Sequence, residues 1–447
     1  MSDGSGEPTG PKRLRRSDLF FQVRTRQVID AAWQAIKRNS RVSRSLDTRN
    51  EVAAFEENVS TNLHRISRQL QQNKFVFAPA RGVRIPKDKK NSSNFRPLVV
   101  AKVESRIVQR AIHDVLILVP EIQKFVRTPH SFGGVKKDDS DHIAAVPAAI
   151  HAVLEAIGSG SRFAVRSDIT KFFTRVPKST VSAIVARSVN NPRFLDLFEK
   201  AIAVELENMA QLREHATAFP IEDIGVAQGN SLSPLLGNLY LYDFDLQMNT
   251  AADVRCIRYI DDFIILARTK ELAENMFFKA KSLLKKLGLE PSPDKTQRAA
   301  VEEGFEFLGI ELANGLIRPS RKSQTRILGS IESALHESKD AFREHRKTCD
   351  LPKAYSLLDS LWKIRGILQG WGKHYRFCND VTCFDNLDRK ISQLIKAYLG
   401  IYSEERNKTN EQGRWRLLGI ESLAQMEREA FCWPKKTFKS AAGSSIK

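Results

Sequence analysis

The chain has 447 residues and a formal net charge of +19, long enough for two or three packed units and basic enough to call for a polyanionic partner. No apolar run reaches the roughly 18 residues that a spanning helix demands, and the N-terminus carries no apolar signal core, so a soluble, cytoplasmic protein without a membrane partner is expected. Five cysteines at 256, 349, 378, 383 and 432 do not form a disulfide framework, and Cys378, Cys383 and His374 lack the second pair of a zinc set, which leaves packed or free thiols in a reducing compartment.

In chain order, the first 18 residues combine Gly, Ser and Pro with Lys12, Arg13, Arg15 and Arg16. They have almost nothing to bury, and predict a disordered basic arm. From Phe55 the apolar residues Val59, Leu63, Ile66 and Leu70 recur at three and four, predicting one amphipathic helix; Ile107, Ala111, Ile112 and Val115 predict a second. Between them, Arg84–Lys87 and Phe95–Val100 read as short strands around a polar loop, Asp88–Asn94. Such a ribbon with a basic tip suits a lid over phosphates.

The middle third alternates strand and helix signals. Phe163, Val165 and Ile169 predict a strand ending near Asp168, and Ser233-Pro234 supplies a cap and first-turn proline for a helix through Leu235, Leu236, Leu239 and Tyr240. Cys256–Ala267 is apolar on both sides of Asp261-Asp262, which predicts a hairpin with two carboxylates at its tip. Leu272, Phe277, Ala280, Leu284 and Leu287 predict a helix stopped by Gly288, and Phe305–Ile310 a further short strand. The order strand, helix, hairpin, helix, strand fits a split βαβ layer. Beyond about residue 320 helical periodicity takes over, with Arg321, Lys322, Lys363, Arg365, Lys373 and Arg376. Trp362, Trp371 and Tyr375 among those cations suit either core packing or stacking on bases.

The chemistry concentrates in Tyr259-Ile260-Asp261-Asp262. Paired aspartates are ordinary in turns, but a third carboxylate, Asp168, stands at the end of another predicted strand. Two-metal phosphoryl transfer needs carboxylates from separate strands converging on cations roughly 3.5–4 Å apart, and these three can supply them.

Three stretches, Ser167-Asp168-Ile169-Thr170-Lys171-Phe172-Phe173, Ala227-Gln228-Gly229-Asn230-Ser231-Leu232-Ser233-Pro234-Leu235-Leu236-Gly237-Asn238-Leu239 and Tyr259-Ile260-Asp261-Asp262-Phe263, resemble in order and spacing the palm motifs of reverse transcriptases. Arg84–Leu98 with Arg106-Ile107-Val108-Gln109, Gly288-Leu289 with Lys295-Thr296, and Phe307-Leu308-Gly309 agree with it, so the resemblance runs over roughly residues 80–310. It is most similar to the bacterial group II intron-like branch, whose thumb often carries a segment like Gly370-Trp371-Gly372-Lys373-His374-Tyr375-Arg376.

The resemblance implies an α+β right-hand polymerase: fingers over 19–160, a split βαβ palm over 161–318, and a helical thumb with a C-terminal extension over 319–447. It implies RNA-directed DNA synthesis from a primer, with an RNA template, an RNA/DNA duplex and deoxynucleoside triphosphates as partners, and a dedicated structured non-coding RNA as a further one. Asp168, Asp261, Asp262 and the main-chain carbonyl of Ile169 match the holders of two Mg²⁺ ions, for which Mn²⁺ can substitute. Lys87 and Arg96 match the cations that clamp the triphosphate, Gln228 and Gly229 lie beside the nascent pair, and Lys295 matches a proton donor to pyrophosphate. Phe173 matches the ring beneath the incoming sugar, where it excludes a ribose 2′-hydroxyl; strand-like alternation sends Phe172 to the opposite face, into the core.

Departures from the intron pattern are a lysine pair in Ser131-Phe132-Gly133-Gly134-Val135-Lys136-Lys137 where arginines are usual, Ile260 in place of alanine, and no recognisable nuclease module after the thumb. They favour a free-standing enzyme of antiviral defence or DNA repair. Two rivals share the motifs: an RNA-binding maturase or chaperone with an incidental polymerase site, and an untemplated terminal nucleotidyltransferase.

Overall fold

The structure, a computed structural model, describes residues 18–87, 95–134, 145–348 and 351–423 apart from positions 42, 44 and 422. The basic arm up to residue 17, the loop 88–94, the lysine pair at 136–137, Cys349 and Cys432 lie outside the described residues. Helices and strands are mixed, and the chain divides into two compact units: one runs to Leu308 and takes in Leu312–Asn314, the other holds Gly309–Glu311 and the chain from Gly315.

In the first unit, Leu46–Glu57 is capped by the Ser45 side chain, which accepts from the Thr48 N–H, and Val59–Gln71 follows it. The single helix expected from Phe55 is therefore two. Asn58 leaves helical geometry at φ −123° and ψ 36°, so Phe55 closes the earlier helix while Leu63, Ile66 and Leu70 bury in the later one. Strands β1 (Arg81–Pro86) and β2 (Phe95–Val100) form the expected antiparallel ribbon, with Ile85 opposite Arg96. The helix Val103–Leu116 buries Ile107, Ala111, Ile112 and Val115.

The sheet that carries the aspartates comprises β3 (Phe163–Asp168), β4 (Val254–Tyr259), β5 (Asp262–Ala267) and β6 (Gln297–Ala300), in the order β4-β5-β3-β6 with every neighbour antiparallel. Helix Ser233–Met248 precedes the β4–β5 hairpin and helix Lys270–Lys286 leads from it to β6, which is the split βαβ order. Val165, Phe263 and Ile265 join one core with Phe244, Phe277 and Leu284 of these helices. Successive strand residues face opposite ways, so Asp168 and Asp262, paired across β3 and β5, point away from that core. Ser233 is not the cap expected: it lies inside the first turn, and its hydroxyl donates to the Ala227 carbonyl at 2.6 Å. Nor is Phe305–Ile310 one strand. Leu308 and Gly309, at φ +52° and +77°, turn the chain between β7 (Phe305–Phe307) and β8 (Ile310–Ala313), which pairs in turn with β9 (Leu316–Pro319).

The second unit is helical: Arg321–Thr348, Leu357–Tyr375, Val381–Asn407 and Glu411–Leu418 pack around Ile331, Leu335, Phe342, Ile364, Leu387, Tyr398 and Leu417. The aromatic trio divides. Trp371 packs on this core with its ring 4.5 Å from that of buried Tyr375, whereas Trp362 is 65% exposed beneath the Arg365 guanidinium, 4.9 Å away. Burial pushes the thiols of Cys378, up to about 12, and Cys383 above their ordinary range.

Candidate active site

Between β4 and β5 the chain reverses through Ile260 and Asp261. Ile260 takes φ +60°, a left-handed conformation costing a β-branched residue about 1–2 kcal/mol. The reversal brings Asp261 to the end of β3, where the Ile169 N–H donates to the Asp261 carbonyl at 2.9 Å. The Ser292 N–H donates to the Asp168 carbonyl at 2.7 Å, and Lys295, close after it, reaches the Asp168 Oδ2 at 2.6 Å.

These carboxylates repel one another. Burial, then the charges of Asp168 and Asp262, push the Asp261 carboxyl up to about 6. Burial also raises Asp262, opposed by the Arg166 guanidinium, whose Nη2 lies 3.7 Å from Oδ1. As they stand, the side chains do not form a ready coordination shell: among the described residues no three His, Cys, Asp or Glu side chains converge on one metal position. The donor set is nonetheless all oxygen, which is what magnesium takes.

A cationic rim adjoins the carboxylates. Lys87, just beyond β1, is exposed; burial against its surroundings and the neighbouring charges of Arg96, Lys295 and Lys171 lower its ammonium, with Asp168 opposing them. Lys87 thus has three cations and the Asp168 carboxylate among its charged neighbours, a cluster whose chemistry suits a polyphosphate. The ribbon is fixed to the segment after it, because the Val99 N–H donates to the Gln228 carbonyl at 3.0 Å. Gly229 is needed there on two counts: φ is +102°, and a Cβ would meet Leu98 Cδ1 at 3.0 Å and the Val99 carbonyl at 3.1 Å.

Phe172 and Phe173 lie in a short 3₁₀ turn after Lys171, itself at φ +50°, and not in a strand. Phe172 is buried and Phe173 half-buried, but the rings do not go to opposite faces: their centroids are 5.2 Å apart and both pack on one core, because the turn and not strand alternation places them. The Phe173 carbonyl accepts from the Val226 N–H at 2.7 Å, which ties it to the segment leading to Gln228.

A model of the reverse transcriptase (RNA-dependent DNA polymerase) family matches residues 85–312, about half of the chain. The chain belongs to the reverse transcriptase family. Protein YkfC of Escherichia coli K12 is 25% identical to this reverse transcriptase over 341 residues, 69% of this chain and 81% of that protein. The group II intron-encoded protein LtrA of Lactococcus lactis is 26% identical over 184 residues, 41% of this chain and 27% of LtrA; the match thus spans about a quarter of that relative. A partial Cas6-RT-Cas1–Cas2 complex aligns with 61% of this chain and 42% of that one, with a TM-score of 0.33 and 20% identity, too distant to argue from. No helix among the described residues is long and apolar enough to cross a membrane.

Sequence reasoning overlooked two arginines of the reverse transcriptase. Arg166 donates to the Glu306 carbonyl at 3.1 Å and lies on the Asp168 face of β3. Arg258 is fully buried and paired with Asp245. A signal was present in the strand: Arg258 follows the apolar pair Cys256-Ile257, where an unpaired charge is prohibitively costly.

Proposed function

We propose that the protein is a free-standing right-hand polymerase that extends a primer along an RNA template. Residues 19–160 serve as fingers, 161–318 as palm and 319–447 as thumb. The observation that carries this is the meeting of Asp168 with Asp261 and Asp262 beside the cations Lys87, Arg96, Lys171 and Lys295.

Asp168, Asp261, Asp262 and the Ile169 carbonyl would hold two magnesium ions, which when bound lower the pKa of the primer 3′-hydroxyl and neutralise the leaving pyrophosphate. Lys87 and Arg96 bind the triphosphate oxygens; their charges grow more favourable as negative charge gathers on the leaving group. Lys295, exposed and already at hydrogen-bond distance from Asp168, has the reach to hand a proton to departing pyrophosphate. Gln228 and Gly229 border the nascent base pair, and the Phe173 ring lies under the sugar and excludes the 2′-hydroxyl.

As the setting we propose antiviral defence or DNA repair with a dedicated structured RNA, on the departures at Ile260 and in the stretch after Gly134. The test is extension of a primer on a defined RNA with deoxynucleotides and Mg²⁺, with the product sequenced. A complementary copy supports the reading; untemplated tails overturn it. Sequencing the RNA that co-purifies tests the setting: a ribozyme transcript would return the protein to an intron.

A further inference from the structure

The turn carrying Asp261 is fastened by groups with no part in the reaction just described. Arg258, with no exposed surface, donates through Nε to Asp245 Oδ1 at 2.8 Å and through Nη2 to Oδ2 at 2.5 Å. Its Nη1 donates to Asn238 Oδ1 at 3.1 Å and to the Ile260 carbonyl at 2.8 Å. Asp245 and Asn238 stand two helical turns apart on one face of the helix Ser233–Met248, so one guanidinium links that helix to the left-handed residue of the turn.

The segment His130–Gly133 closes on the turn as well. The Arg258 N–H donates to the His130 carbonyl at 2.8 Å, and the Phe132 N–H to the Arg258 carbonyl at 3.0 Å. Asn238 Nδ2 donates to the Gly133 carbonyl at 2.8 Å. Gly133 is pressed so closely on the turn that a Cβ would stand 2.5 Å from Ile260 Cγ1 and 2.8 Å from its nitrogen.

A buried ion pair is a poor way to gain stability, since apolar side chains of the same volume do as well without desolvating two charges. What an apolar pair cannot do is present a planar fork to a carboxylate, an amide and a main-chain carbonyl together. Ile260 is strained at φ +60°, and its relaxation would swing Asp261 off the end of β3.

We propose that Arg258 is a positioning residue of the polymerase site: through the Ile260 carbonyl it holds the left-handed turn that aims Asp261 and Asp262, with Asp245 and Asn238 as its anchor. The inference rests on the metal-holding role proposed above for those aspartates. Mn²⁺ affinity of the full chain, read by electron paramagnetic resonance, tests it alongside melting temperature and primer extension. Arg258→Lys keeps the charge and loses the fork; Gly133→Ala pushes on Ile260 from its other neighbour and leaves the ion pair alone. Both are expected to weaken Mn²⁺ binding about tenfold or more, the usual consequence of disturbing the groups that orient a ligand, and to lower kcat with little change in nucleotide KM. Wild-type Mn²⁺ affinity in folded Arg258→Lys overturns the proposal; should that variant not fold, wild-type affinity in Gly133→Ala does so. Asp261→Asn is the control: if it binds Mn²⁺ as wild type does, the metal reading of the aspartates fails, a result distinct from failure of the brace.

Discussion

At the β4–β5 turn, Asp261 and Asp262 are half-buried and joined through their own backbone to a guanidinium with no exposed surface, whereas Lys87 and Arg96 on the β1–β2 ribbon are exposed. The first set of charges is fixed at a cost: burial raises both carboxyls, and Ile260 bears a strained φ. The second costs little, since long solvated side chains keep their freedom until an anion arrives. On the proposed roles, the charges that define the reacting position are held rigidly and those that meet a diffusing substrate are left adjustable. On this basis substitutions at the turn disturb chemistry, and substitutions on the ribbon disturb binding as well.

The largest expected effect is at the turn. Asp261→Ala with Asp262→Ala should abolish primer extension while RNA binding persists, because phosphate contacts elsewhere supply that affinity; extension above about a tenth of wild type would remove these residues from the mechanism. On the ribbon, Arg96→Ala should raise nucleotide KM and lower kcat, reducing kcat/KM about tenfold to a hundredfold, as fits a charge-assisted contact worth roughly 1.5–3 kcal/mol. RNA affinity should hold. Loss of RNA binding at unchanged KM would move Arg96 to the template track and erase the contrast.

Phe173 lies between the two regimes, half-buried and tied to the chain ahead of Gln228. Phe173→Val should lower the ratio of kcat/KM for deoxyribonucleotide over ribonucleotide, with melting measured beside it because truncating packed Phe costs up to about 3–5 kcal/mol. A folded, active variant with unchanged sugar choice would make Phe173 core alone. The smallest effect is thermal: Mg²⁺ should raise the melting temperature of the wild type by relieving repulsion among the three carboxylates, and raise that of Asp168→Asn and Asp261→Asn less. An equal rise in all three would place the ion elsewhere.

Much of this was legible in the sequence because its period matched the structure. Alternation before Asp168 and apolar runs on both sides of Asp261-Asp262 named the strand and the hairpin that carry the aspartates, and residues 107–115 named their helix. What escaped was decided by single backbone residues. Asn58 splits a helix whose apolar spacing continues through it, and Leu308-Gly309 turns a run that reads as strand, since Leu at φ +52° gives no warning in composition. The rings of Phe172 and Phe173, expected on opposite faces, instead stand 5.2 Å apart against one core, the left-handed Lys171 having already ended the strand. The partners of Arg258 were hidden for another reason: Asp245 and Asn238 stand on a helix and Ile260 in the β4–β5 turn, and pairing across those elements is a property of the packed layer and not of any window of sequence.

The place of β3 in its sheet has a consequence for how the molecule comes into being. This strand, which bears Asp168, is hydrogen-bonded on one side by β5 and on the other by β6, both encoded far downstream. Closing such long loops is slow, so the polymerase site is among the last parts to form, and during synthesis β3 must wait with both edges bare. A fragment ending before Gln297 keeps one edge permanently open, and an unpaired apolar edge invites pairing between chains. The boundary at which this protein can be shortened without aggregating is therefore expected at β6, beyond Asp261 and Asp262.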